Sequence, residues 1–282
     1  MIRLSPRQLL ALGISTTLVL HTQSGSSAIP NSPVAVESSG TAEAKLNQQR
    51  LVAKAVAGSK KSRNSLIFDL PLTYNRRVSY WIEYFQTKAK PWFTEWLEKS
   101  SRYMPLIQKE LRDHNLPQDL AFMVMIESGF EASAKSPANA MGPWQFIPAT
   151  GERYGLKINW WIDERRDLMK STRAAIRYLR DLYQEFGSWY LVAASYNMGE
   201  NGLRRQIQKH MTRDFWKLSQ LGALPQETMD YVPKILAAMM ISKSPALYDF
   251  TYLVRYEAMD YEVIQAPGGT ELNQIADQLG VS

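Results

Sequence analysis

The first apolar run, Leu9 to Leu20, follows Arg3 and Arg7 and gives way to small residues ending at Ser26, Ser27 and Ala28. It is too short for a membrane span and has the form of a secretory signal peptide over residues 1–28. Residues 29–64 are rich in Ser, Ala, Gly, Pro, Lys and Gln and lack aromatic anchors, so they read as a flexible linker. One weakly helical piece, AKLNQQRLVAKAVA, lies within that linker. At IFDLPLTYN the texture changes: aromatic residues become dense and the apolar spacing becomes helical. Asn75 stands where an N-cap belongs, with Val78, Trp81, Ile82 and Phe85 recurring after it and Trp92, Phe93 and Trp96 beyond Pro91, a stripe that reads as core.

The same period continues downstream. NLPQDLAFMVMIESGF predicts a helix with Pro117 in its first turn, ending near Ser128 with Gly129 as its stop. STRAAIRYLRDLYQEFG places Ile176, Leu179, Leu182, Tyr183 and Phe186 on one face, and Gly187 terminates it. SWYLVAASYN is apolar all round, the signature of a helix in the middle of a domain. QETMDYVPKILAAMMISK is helical again, with Pro233 either opening a helix or kinking a longer one. No strand pattern occurs between Tyr74 and Ser244, so the pattern predicts an all-α domain over residues 65–250. Beyond Pro245, FTYLVRY and YEVI read as strands and TELNQIADQLG as a short helix capped by Thr270 and stopped by Gly280, a small α/β extension over residues 251–282.

Composition narrows the chemistry. The 282 residues contain no cysteine and three histidines, and no HExxH, GxSxG, GxxxxGK[ST] or GxGxxG, which leaves zinc, serine-hydrolase and nucleotide chemistry without a motif. His114 and His210 read as surface residues near helix ends. The net charge of +6 comes from 33 basic and 27 acidic residues; without the first 28 residues the excess falls to +4, too mild for a nucleic-acid footprint. With no cysteine after the apolar run, a lipoprotein anchor is not expected, and the chain is placed outside the cytoplasm with no stable span after signal cleavage.

Glu127 shares a helical face with Leu120, Met123 and Val124. A carboxyl group on an apolar stripe is either a helix-end charge turned to solvent or paired with an arginine, or a group kept protonated by desolvation and able to donate a proton near neutral pH. The loop that follows, with Gly129, Gly142 and Pro143, brings Trp144 and Gln145 back toward that helix end. Trp144 reads equally as core or as a face on which a sugar stacks, and Gln145 as a loop brace or a partner for hydroxyl and acetamido groups. SYNMGENG, with Tyr196 and Asn197, ends the buried helix in a glycine-rich turn.

The ordered motifs ES, GPWQF, SYNMGE and YVPKI, with WWIDERRD and STRAA between them, resemble the lytic transglycosylases of the goose-lysozyme-like superfamily from about Phe68 to Phe250. That resemblance implies a lysozyme-like helical fold whose cleft holds peptidoglycan glycan strands, with no metal or cofactor. It makes Glu127 the general acid, then base: it protonates the oxygen between N-acetylmuramic acid and N-acetylglucosamine, and takes the proton from the muramyl C6 hydroxyl as that oxygen closes a 1,6-anhydro ring. It also makes Ser128, Trp144, Gln145, Tyr196 and Asn197 substrate-contacting or acid-orienting residues and puts the Tyr231 hydroxyl near the acid. Pro143 and Trp144 in place of the commoner Leu and Met, and Ser195 in place of Ala, touch subsite preference more than chemistry.

A nucleophile supplied by the substrate needs one carboxyl group where most glycosidases need two. Glu131 reads as a solvated loop residue, and Glu200 and Asp230 are weaker candidates for a second acid. Trp160 and Trp161 read as packing residues. The tail from Tyr261 resembles the first strand and helix of a LysM glycan-binding module, without its second half. Alternatives that remain open are a muramidase hydrolysing the same bond, a non-catalytic wall-binding protein and, distantly, a nucleic-acid binder. Oligomeric state leaves no mark in the sequence.

Overall fold

The computed structural model describes residues 68–261 and 271–279. The expected signal peptide and linker, Thr270, Gly280 and all but the first residue of YEVI lie outside them. Within the described residues the chain is helical, with isolated bridges but no strand.

Helix α1 (Arg76–Gln86) starts where Asn75 caps it, its side chain accepting from the amides of Arg77 and Val78 at 3.1 Å. It buries Val78, Ile82 and Phe85. Phe85 stacks on Phe93 at 4.2 Å, joining α1 to α2 (Lys90–Asp113), a 24-residue helix with Pro91 at its start and Pro105 inside it. Asp69 then clamps the next entry. Its carboxylate accepts from the amides of Gln118 and Asp119, while the Asp119 carboxylate accepts from the Asp69 amide and pairs with Lys243 at 2.5 Å.

That clamp opens a 3₁₀ turn (Gln118–Ala121) leading into α3 (Phe122–Ser128), so the predicted helix is divided into two short pieces. Phe122, Met123, Val124 and Met125 are all buried. Gly129 ends α3 at φ +58, and a Cβ there would lie 2.0 Å from the Trp96 indole, so the position excludes a side chain for two reasons.

After α4 (Pro148–Arg153) come α5 (Leu168–Phe186), α6 (Trp189–Met198), α7 (Glu200–His210), α8 (Phe215–Gln220) and α9 (Gln226–Lys243). α6 and α9 are the core helices. α9 packs against α1, α3 and α6, and α6 also packs on α5. Pro233 lies inside α9, whose buried residues occur all round it. His114 caps the end of α2 and His210 is the last residue of α7, the helix-end positions expected of them.

Three expectations about packing are corrected. Tyr183, expected on the buried face of α5, is 40% exposed, its ring stacked at 4.2 Å on Trp189, which is itself only partly buried against the core. Trp160 and Trp161 are 91% and 76% exposed instead of packed. FTYLVRY forms no strand: after Phe250 enters the core, the chain runs along α2 with Tyr252 exposed. Its amides bond to the helix instead of to a neighbouring strand: Val254 to Glu98, Tyr256 to the Ser101 hydroxyl and Met259 to the Arg102 carbonyl. A lone extended segment has no ladder to join. Of the expected α/β extension, the described residues contain only helix α10 (Leu272–Leu279).

Candidate active site

Glu127, next to last in α3, lines a cleft of about 570 Å³. Its Oε1 accepts a 2.5 Å hydrogen bond from the Tyr231 hydroxyl on α9. Burial pushes the Glu127 carboxyl up to about 7; the Tyr231 bond and the charge of Lys234 oppose that rise, and Glu227 adds to it. The group is therefore half protonated near neutrality, as general-acid work requires. Burial beside this carboxyl also raises Tyr231 and Tyr196 well above the ordinary tyrosine value, so both remain neutral donors.

The GPWQF loop forms one wall and is fastened at every residue that could move it. Gly142 has φ +80, and a Cβ there would meet the Arg165 carbonyl at 1.9 Å. The Ser128 hydroxyl donates to the Pro143 carbonyl at 2.9 Å, and the Tyr196 hydroxyl donates to the Trp144 carbonyl at 2.7 Å. Gln145, held at φ +48, donates through Nε2 to the carbonyls of Ala134 and Gly142 while lining the cleft. A non-glycine residue in the left-handed region costs about 1 kcal/mol or more, and such strain gathers where a side chain must be aimed.

Ser128 and Trp144 do not reach the cleft as substrate contacts. Ser128 is 3% exposed and ties the acid-bearing helix to the loop. Trp144 is fully buried, its indole donating to Thr172 at 2.9 Å, so neither face is open to a sugar. Trp144 takes the core role that the sequence left open for it.

Tyr196 and Asn197 do line the cleft. Asn197 is oriented by Thr228, which donates to its Oδ1 at 2.7 Å, and its amide donates to Glu227 at 3.4 Å. Glu200 also lines the cleft but is engaged by Arg153 at 2.7 Å and Tyr178 at 3.1 Å. Burial works against its charge, yet its own backbone amide together with those bonds keeps its carboxyl below the ordinary value. Asp230 pairs with Arg77 and Gln226 instead of lining the cleft, and Glu131 is exposed, bonded to Ser133 and 3.8 Å from Lys99.

Sequence reading missed three parts of this site. Trp81, Trp92 and Trp96, read as core, form an aromatic wall of the cleft together with Tyr84. The signal was a second aromatic stripe beside the Val78, Ile82 and Phe85 face, more apolar surface than one core face needs. Lys234, one turn beyond Tyr231, lies 4.5 Å over the Trp81 ring, with its pKa lowered by burial against the pull of Asp230, Glu227 and Glu127. Glu227 lines the same cleft and was not considered. Among the described residues no cluster could hold a metal ion.

Residues 104–219, which include Glu127, Gln145, Tyr196 and Asn197, match the family described as Transglycosylase SLT domain. Within the described residues that span is helical. Tyr231 and Lys234 on α9, and the aromatic wall of α1, lie outside the matched span. Over 189 residues the chain is 36% identical to membrane-bound lytic murein transglycosylase D of Escherichia coli strain K12, covering 65% of this chain and 41% of that protein, and equally to its counterpart in strain O6:H1. Over 164 residues it is 24% identical to membrane-bound lytic murein transglycosylase C of Haemophilus ducreyi, covering 53% of this chain and 43% of the relative. The chain thus spans about two fifths of the length of these relatives.

Proposed function

We propose that the protein is an exported peptidoglycan lytic transglycosylase. The observation that carries this reading is Glu127: a carboxyl group raised to about 7, held by Tyr231 and open to an aromatic-walled cleft of about 570 Å³. The protonated form donates to the oxygen between N-acetylmuramic acid and N-acetylglucosamine. The resulting carboxylate accepts the proton of the muramyl C6 hydroxyl as that oxygen attacks C1, closing the 1,6-anhydro ring without water. Tyr231 steadies the carboxylate between the two proton transfers, and Lys234 counters its negative charge. Gln145 and Asn197 offer amides to the acetamido and hydroxyl groups of the strand, with Tyr196 behind them.

The signal-peptide pattern of the first 28 residues and the similarity to membrane-bound lytic murein transglycosylases support a cell-envelope location. No helix among the described residues is long and apolar enough to cross a membrane. The LysM-like tail and the boundaries of the linker belong to this proposal as well.

Hydrolysis of the same bond is the second reading, favoured by Glu200 and Glu227 in the same cleft. Both carboxylates are committed to other partners, Glu200 to Arg153 and Tyr178 and Glu227 to Asn197. Mass spectrometry of muropeptides released from purified sacculi separates the two. Anhydro ends, lighter than reducing ends by one water, are expected from the wild type and not from Glu127→Gln. Reducing ends would overturn the transglycosylase reading, and undiminished release by Glu127→Gln would overturn the role of the acid.

A further inference from the structure

We propose that the Trp160–Trp161 hairpin is an accessory glycan-binding platform that grips the polymer outside the catalytic cleft. This rests on the reading of the cleft as a peptidoglycan site. The hairpin is built to present its rings. The Asn159 side chain accepts from the amides of Trp161 at 2.9 Å and Ile162 at 2.7 Å, the Asn159 amide donates to the Ile162 carbonyl at 2.8 Å, and Ile158 bridges Asp163 at the base. Below, Lys157 and Glu164 close the stem, the Lys157 amide donating to the Glu164 carboxylate at 2.8 Å and the Glu164 amide to the Lys157 carbonyl at 3.0 Å.

On this frame the two indoles meet edge to face, 5.1 Å apart and at 62°, with 91% and 76% of their surfaces open and Ile162 beside them 42% exposed. Large rings held open by a hydrogen-bonded turn form an apolar patch of the kind that marks a binding surface.

Two connections tie the platform to the cleft. Ile158 lies against Gly151 of α4, where an added Cβ would stand 3.1 Å from its Cδ1, and the same helix turn presents Ile147 and Thr150 to the cleft. Arg165, 4% exposed, pairs with Asp163 at 2.7 Å and donates to the carbonyls of Asn139 and Phe146, so one side chain ties the base of the hairpin to the GPWQF loop.

The occupant is a polysaccharide and not a lipid surface. The flanks mix both signs, Lys157, Arg165 and Arg166 with Asp163, Glu164 and Asp167, and Arg165 is buried in its pair with Asp163, so the basic collar that anionic headgroups require is lacking. Flat indole faces suit the apolar faces of N-acetylated pyranose rings, and a second grip on one long strand raises its effective concentration at the cleft.

The test uses the full chain carrying Glu127→Gln, so that glycan binds without turnover, compared with the same protein bearing Trp160→Ala and Trp161→Ala. Pull-down with purified sacculi is expected to weaken by about tenfold in the double alanine variant and to be mostly retained by Trp160→Tyr with Trp161→Tyr. In the otherwise wild-type chain, the alanine pair is expected to leave turnover of a soluble tetrasaccharide of the same glycan unchanged. Unaltered sacculus binding, or an equal loss on polymer and tetrasaccharide, would overturn the platform. So would a selective loss of binding to vesicles of phosphatidylethanolamine and phosphatidylglycerol, which would make the hairpin a lipid anchor. A wild type that releases no anhydro products fails the proposed function instead, and is distinguished because the pull-down does not depend on turnover.

Discussion

Replacing Glu127 by Gln should make the protein more stable at alkaline pH and hardly change it in acid. The carboxyl titrates at about 7 in the folded chain against an ordinary 4.5. Its folded-state pKa is raised, so the native state holds a proton that the unfolded chain has released. The penalty is absent below about 4.5, grows as pH rises through the window between 4.5 and 7, and is complete above 7. At about 1.4 kcal/mol per pH unit the full difference is on the order of 3 kcal/mol at pH 8 and under about 1 kcal/mol at pH 5. Glutamine keeps an acceptor for the Tyr231 hydroxyl and carries no charge, so the variant escapes the penalty while preserving the bond. Urea unfolding of both proteins at pH 5 and pH 8, followed by far-ultraviolet circular dichroism, measures the gap directly. A gap of the same size at both pH values, or a variant less stable than wild type at pH 8, would refute the reasoning, because either result means the carboxyl is not desolvated in the native state.

The other predictions concern the same environment. Activity on sacculi should fall as pH rises through about 7, since the acid must be protonated, and Tyr231→Phe should move that limb to higher pH by removing a bond that favours the ionised form; a pH profile of anhydro-product release checks both. Lys234→Met should shift the limb the same way and Glu227→Gln the opposite way, and limbs that stay in place would show that neither charge reaches the acid. Gly129→Ala should destabilise the fold by about 2–4 kcal/mol, because a positive φ and a Cβ 2.0 Å from the Trp96 indole act together, and a melt within error of wild type would contradict it.

Local chemistry made much of the helical framework legible. Asn75, Gly129 and Gly187 mark helix ends through capping and left-handed backbone, which depend on near neighbours in the chain. The wholly apolar α6 announced its central place, and the apolar stripe under Glu127 pointed to a desolvated acid. Strand propensity in FTYLVRY failed for the opposite reason: pairing needs a partner, and α2 supplied the hydrogen bonds instead.

Three decisions belonged to tertiary structure alone. Trp144 and Trp160 are the same residue type in loop sequences of similar polarity, yet one is sealed against Thr172 and the other is held open by an Asn159 turn. The partner of Glu127 comes from Tyr231, 104 residues away, and its charged neighbours from Lys234 and Glu227 on the same helix. The aromatic residues of α1 and α2 became a cleft wall because α9 covers only part of their surface. A chain written in order specifies which residues can be buried, capped or turned by their own neighbours. The pKa of an acid, the open face of a ring and the far side of a cleft are set by atoms brought there from distant segments, whose positions exist only once the helices have packed.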